Sequence, residues 1–226
     1  MTATAHSRPT AAAPPTGRAL RVALAVAAPI APLAVGLSRI IAPYGSAGDG
    51  SAVLDAVAAS PGAVDAMLWL RLPIALLLVP GVLAAGLAAL PGAPRLATAA
   101  LLVAVPGWSA ALVMPDTDGL ARALVDTGTD RAVAVRLFDA VAAMEHPAVG
   151  VAVLLFVLGH IVGTVLLGLA LWRSRAVPAW AGIVLAVSQP LHFVAFVVLA
   201  NVPLDAAAYA MTAVGFGAAG LALARR

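Results

Sequence analysis

Six stretches of roughly twenty apolar residues restrict this chain to one kind of fold. They lie at about 19–42, 67–90, 96–114, 148–172, 179–200 and 205–224. A helix needs about 20 apolar residues to cross a hydrocarbon core of about 30 Å. In lipid, every backbone N–H and C=O must find a partner inside the protein, so such runs are helical. The expected fold class is all-α: a polytopic membrane helical bundle of six transmembrane helices, with the lipid bilayer as solvent. Composition agrees. Of the 226 residues, 63% are hydrophobic and 10% charged, whereas soluble domains are nearer about half and about a quarter. Pro29, Pro32, Pro73, Pro80, Pro106 and Pro190 fall inside four of the stretches. Neighbouring groups in a membrane bundle satisfy the carbonyl that each Pro frees, so kinks are expected there and not helix ends.

Charge sets the expected orientation. The 13 cations are all Arg, a bias that reads as bacterial, GC-rich coding. With the N-terminus in the cytoplasm, the inward segments carry Arg8, Arg18, Arg21, Arg95, Arg173, Arg175, Arg225 and Arg226. The acids Asp49, Asp55, Asp65, Asp116, Asp118, Asp126, Asp130, Asp139, Glu145 and Asp205 fall on the other side. Arg concentrated in short inner segments is the positive-inside pattern. Trp172 and Trp180 flank an inner turn, and Tyr44, Trp69 and Tyr209 fall near the outer boundary, as an aromatic belt would. The expected localisation is the bacterial cytoplasmic membrane, multi-pass, with both termini cytoplasmic. Residues 1–17 can bury no face and are expected to form a disordered tail before a six-span domain over 18–226. A cleaved signal peptide is the competing reading of the first stretch. Its length and the lack of a small-x-small cleavage site favour a retained span. Arg71, near the outer end of span two, is expected to snorkel beside Trp69 toward the outer acids.

Several function classes lack support. Net charge is +3 with scattered Arg, so there is no nucleic-acid-binding stripe. With no Cys there are no disulfides and no thiolate metal sites or nucleophiles. His-Glu-x-x-His, Gly-x-Ser-x-Gly and the P-loop are absent, and no segment outside the spans is long enough for a soluble catalytic domain.

The outer segments 43–66 and 115–146 are long, and the inner turns short. Each outer segment carries a helix-like piece with one pentapeptide, Asp55-Ala56-Val57-Ala58-Ala59 and Asp139-Ala140-Val141-Ala142-Ala143. In the second, Val133, Leu137, Ala140, Val141 and Met144 share a face, which predicts an amphipathic helix on the outer surface or capping the bundle. Further matches recur: Gly86-Leu87-Ala88, Gly168-Leu169-Ala170 and Gly220-Leu221-Ala222 near the ends of spans two, four and six, and an Ala-Val pair before Pro29, Pro106 and Pro190. Three tandem helical hairpins are one reading. Chance is the other, since short matches are cheap in a chain so rich in Ala, Val, Leu and Gly.

Deep polar side chains occur on spans four and five: His160, Thr164, Ser188, Gln189 and His192. His160, Thr164 and Gly168 follow at i, i+4 and i+8 beside Gly159 and Gly163, small residues that let another helix approach, so His160 should face protein. Antiparallel packing is expected to set Gln189 near the level of His160, with His192 about one turn further out and the two His roughly 10 Å apart in depth. Every acid is expected in an outer segment or at a span edge, which leaves no buried carboxylate. Three readings stay open. The cluster is interhelical hydrogen-bond glue in a structural or accessory subunit; it is a site for a small solute or proton; or His160 and His192 ligate a haem in an electron carrier. A zinc site at Glu145 and His146 is weaker than the simpler reading, in which these residues start span four with Pro147 in its first turn.

Overall fold

The computed structural model describes residues 17–45, 49–143 and 145–226. The expected tail and Met144 therefore lie outside the described residues, apart from Gly17. No strand occurs among the described residues, and six helical segments are long and apolar enough to span a membrane. The protein is a membrane helical bundle. Span one is a pair, α1 (Arg18–Ala27) and α2 (Ile30–Ile41). Span two is α4 (Pro61–Ala89) and span three α5 (Pro94–Ala110), with a short 3₁₀ turn at Ala111–Val113. Span four is α8 (Pro147–Ser174), span five α9 (Ala179–Phe193) with a π-helical turn Val194–Val198, and span six α10 (Val202–Ala224). Three short helices, α3 (Gly50–Ala59), α6 (Thr117–Asp126) and α7 (Arg131–Ala142), lie at one end of the bundle.

The prolines act unequally. Pro29 separates α1 from α2, and Pro190 is followed one turn later by the π turn. Pro73, Pro80 and Pro106 sit inside continuous helices. A π turn widens the backbone by one residue and re-aims the chain beyond it. The chain then reverses within Leu199–Asn201, where Ala200 adopts φ 48°, a left-handed conformation uncommon outside Gly. The Asn201 side chain accepts from Leu204 N–H, so span six begins at Val202, three residues earlier than expected from its apolar run. Asp205 is thereby drawn inside the helix.

Consecutive spans are neighbours, and span six closes back against span one. Six glycines set this packing by a repeated rule, for each of them marks a place where a side chain would collide with the next helix. A Cβ on Gly81 would lie 3.0 Å from Ala28 O, on Gly163 2.5 Å from Ala104 Cα, and on Gly215 2.6 Å from Leu185 Cβ. In each case the partner is the preceding span of the same hairpin. Five residues on, a Cβ on Gly86 would lie 2.5 Å from Leu101 Cγ, on Gly168 2.5 Å from Ala186 N, and on Gly220 2.8 Å from Ala25 Cα. Here the partner is the first span of the following hairpin, with the third returning to the first. The three hairpins thus make equivalent contacts around a closed ring.

The acid-bearing end has its own small core of Val53, Leu54, Val57, Val64, Ala121, Leu124, Ala134 and Phe138. Asp49, Asp116 and Asp130 cap α3, α6 and α7 by accepting from the first-turn N–H groups. Arg71 pairs with Asp116 and Asp118, Arg122 with Asp65 and Asp126, and Arg131 with Asp55. Arg71 therefore reaches the acids beside an exposed Trp69, as its position in the sequence predicts. The Tyr44 hydroxyl donates to Asp118 at 2.6 Å, and burial followed by that bond pushes its phenol pKa well up. The face of α7 differs from expectation. Ala134 and Phe138 are buried, whereas Leu137 and Val141 stay exposed. Two apolar stripes were available, and the one carrying the large Phe ring is the one that packs on α3 and α6.

Candidate functional site

All five deep polar residues are buried: His160, Thr164, Ser188, Gln189 and His192. They do not form one set. The His160 and His192 ring centroids lie 5.8 Å apart, which corrects the expected depth gap. The cause is register. α8 continues to Ser174, the turn closes at once through a left-handed Arg175, and Gly168 seats against Gly182 and Ala186. Eight residues back along α8 and six further along α9, His160 meets His192. Ser188 and Gln189 instead face span six, and Thr164 faces span three.

The largest correction concerns Asp205. It is completely buried and lies 2.5 Å from His192 Nδ1, so the bundle does contain a buried carboxylate. Its other oxygen is 3.3 Å from Arg39 Nε of span one, and the Arg39 guanidinium lies 4.3 Å above the Phe196 ring. Asp205 therefore joins spans one, five and six. With His192 donating Nδ1–H to the carboxylate, Nε2 is left as an acceptor, and the Tyr209 hydroxyl stands 3.5 Å from it. A carboxylate on one imidazole nitrogen fixes the tautomer. Tyr209 is buried here and is not part of an interfacial belt.

His160 is held differently. Its Nδ1 lies 2.5 Å from the Phe156 carbonyl, and a carbonyl only accepts, so Nδ1 carries the proton. The ring stacks on Phe156 at 4.2 Å and meets Trp108 edge-on at 5.1 Å. Among the described residues its Nε2 has no hydrogen-bond partner although it is buried. A second network runs below it. Gln189 Nε2 donates to Thr212 Oγ1 at 2.7 Å, Thr212 and Ser188 hydroxyls are 2.9 Å apart, and Ser188 donates to Leu185 O at 2.8 Å. Gln189 Oε1 is likewise buried without a partner. Trp108 Nε1 donates to Thr164 Oγ1 at 3.3 Å.

The expected site between spans four and five thus widens to include spans one, three and six. Asp205, Tyr209 and Thr212 were missed, although i, i+4, i+7 spacing puts them on one stripe of span six. Starting that span at Asp205 made the acid look like an edge. The alternative ligand sets gain no donors. His146 caps α8, its Nδ1 accepting from Ala148 N–H, and no three metal-ligating side chains converge among the described residues. Both nitrogens of His192 face protein groups. No protein-family model matches the chain, and searches of curated proteins and of solved structures find no match either.

Proposed function

We propose that this is a small proton-conducting membrane protein, in which His192 takes up and releases a proton with Asp205 as its fixed partner. What carries the reading is the buried Asp205, shared between His192 and a partly exposed Arg39. Ionisable groups inside a bundle are costly and mark ion or proton pathways by default. With His192 neutral, Asp205 and Arg39 cancel in charge. Protonating His192 Nε2 makes an imidazolium beside the carboxylate and leaves the three groups with one net positive charge, a costly state that favours passing the proton on. Arg39 gives the acid-bearing end access to this pair, and His160 Nε2, with its free lone pair, is the next acceptor inward. The Arg distribution supports a cytoplasmic-membrane orientation with both termini inside, so the pathway opens on the outer face.

The test uses protein reconstituted in liposomes loaded with a pH-sensitive dye, under an imposed potassium diffusion potential. Proton entry above that of empty liposomes is expected, and it should fall to the empty level in Asp205→Asn and His192→Gln. Equal flux in wild type and both variants, with all three correctly folded, would sink the reading. A second reading, a structural or accessory subunit, draws on the hydrogen bonds that link Ser188, Gln189 and Thr212 between spans five and six. In that case the variants should change stability or partner co-purification and no flux should be seen.

A further inference from the structure

At the end of the bundle opposite the acids, a groove of about 640 Å³ runs between the fifth and sixth spans. Val177, Trp180, Val214, Gly217, Leu221 and Arg225 line it. Its apolar rim faces outward from the bundle: Trp180, Val214 and Leu221 are all exposed. Two features set it apart from ordinary lipid-facing surface. The first is Gly217. Gly215 and Gly220 on the same helix are required by close helix contacts, but a Cβ on Gly217 would meet only Pro29 Cβ, at an ordinary 3.7 Å. Close helix packing does not require this glycine, and it forms part of the groove wall. The second is Arg225. Its neighbour Arg226 donates to Leu87 O at 3.4 Å and Ala88 O at 2.6 Å and so caps span two. Among the described residues Arg225 has no side-chain hydrogen bond or ion pair, and every acid of the chain lies near the other end. No Asp or Glu side chain of the protein therefore competes for Arg225 at this end.

We propose that the groove binds one anionic phospholipid, with an acyl chain lying over Gly217 between Val214 and Leu221 and its phosphate against Arg225. The chemistry is complementary throughout. The groove runs along helix surface at membrane depth, Trp180 marks the headgroup boundary, and a guanidinium matches phosphate geometry. Basic pockets between spans on the cytoplasmic side are recurrent anionic-lipid sites. This proposal does not depend on proton conduction.

The experiment is native mass spectrometry of the full chain, delipidated in detergent and titrated with phosphatidylglycerol or phosphatidylcholine. One phosphatidylglycerol should be retained in preference to phosphatidylcholine. Arg225→Gln should weaken it by about tenfold, the weight of one charged hydrogen bond, and so erase the preference. Gly217→Leu should weaken both lipids while circular dichroism and gel filtration stay unchanged. Val214→Trp, which fills the groove from its lipid-facing rim, takes that role should Gly217→Leu not fold. Glycerol phosphate, a headgroup without chains, should not compete. Equal retention of the two lipids by wild type, unchanged phosphatidylglycerol binding in Arg225→Gln and the groove-filling variant, or full competition by glycerol phosphate would each overturn the proposal.

Discussion

The contact between spans four and five and the contact between spans six and one are built alike and filled differently. In both, a glycine seats on an Ala three residues before a Gln or Ala and four before a Pro: Gly168 on Ala186, with Gln189 and Pro190, and Gly220 on Ala25, with Ala28 and Pro29. Aligned on these glycines, His160 is the counterpart of Thr212; Gly168 also meets Gly182 and Gly215 meets Leu185, so spans five and one do not align residue for residue as far as His192. Ala28 and Ala31 are fully buried, as Gln189 is and His192 nearly so. The fourth–fifth contact thus carries His160 and His192 with ring centroids 5.8 Å apart, while the sixth–first contact is lined by Ala28 and Ala31 up to its acid-bearing end, where Asp205 meets Arg39. Packing of this kind does not require polar side chains. Their gathering around His192, where spans one, five and six meet, is what the proposed proton chemistry draws on.

The comparison breaks first if the glycines are not equivalent. Replacing Gly86, Gly168 or Gly220 by Leu drives a side chain into the facing helix, where no flexible group can yield enough at Ala186 or Ala25. Overpacking on this scale costs at least about 1–3 kcal/mol where a core can adjust, and backbone contacts cannot. Gly168→Leu and Gly220→Leu should fail to give a monodisperse species by gel filtration, while Gly86→Leu, which meets only the Leu101 side chain, should be milder. A Gly220→Leu that folds normally would show that the sixth–first contact is not the equivalent of the fourth–fifth. The next effect is local to the polar interface. Asp205→Ala strips the partner from a buried His192, and breaking a buried pair costs about 3–5 kcal/mol. Denaturant unfolding should show it, and Asp205→Asn, which keeps a hydrogen-bonding side chain, should lose less. At the sister interface Ala31→Ser should be mild by the same assay, because a hydroxyl can bond back to its own helix carbonyl.

Smaller still is the Ser188–Thr212–Gln189 network. Interhelical hydrogen bonds in membranes average about 0.6 kcal/mol, so Ser188→Ala and Thr212→Val should each cost about that much. A loss several times larger in either would mean that the polar filling, too, is a packing device.

Legibility in the sequence divides along the same line. Length and apolarity alone define six helices, because lipid leaves the backbone no other arrangement. The glycine register was only half legible: Gly86, Gly168 and Gly220 stand out with their Leu-Ala followers and Gly163 as a small residue beside His160, but Gly81 and Gly215 show their role only through what they touch. His160, Thr164, Ser188, Gln189 and His192 were legible as polar residues in apolar runs. Asp205 was not, because its burial depends on the π turn and on Ala200 turning the chain so tightly that the first turn of span six folds back on His192. The α7 face was misjudged for a related reason. Periodicity offers two stripes, and only the position of α3 and α6 decides between them.

The sharpest discriminator is also the mildest change to the fold. His160→Phe keeps a ring of similar size between Phe156 and Trp108 and removes one bond from Nδ1 to the helix's own Phe156 carbonyl. It also removes Nε2, a buried atom without a partner that the fold does not use. Losing that bond costs about 0.5–1.5 kcal/mol and removing the unpartnered Nε2 offsets part of it, so the net stability change should stay within about 1 kcal/mol. If the polar interface is glue, nothing else changes, for His160 bonds to no other span. If it carries protons, the acceptor inward of His192 is gone, and liposome flux should fall to the level of Asp205→Asn while thermal unfolding stays near wild type. Loss of flux without loss of stability separates the two uses of one interface, because only a chemical role for the Nε2 lone pair produces it.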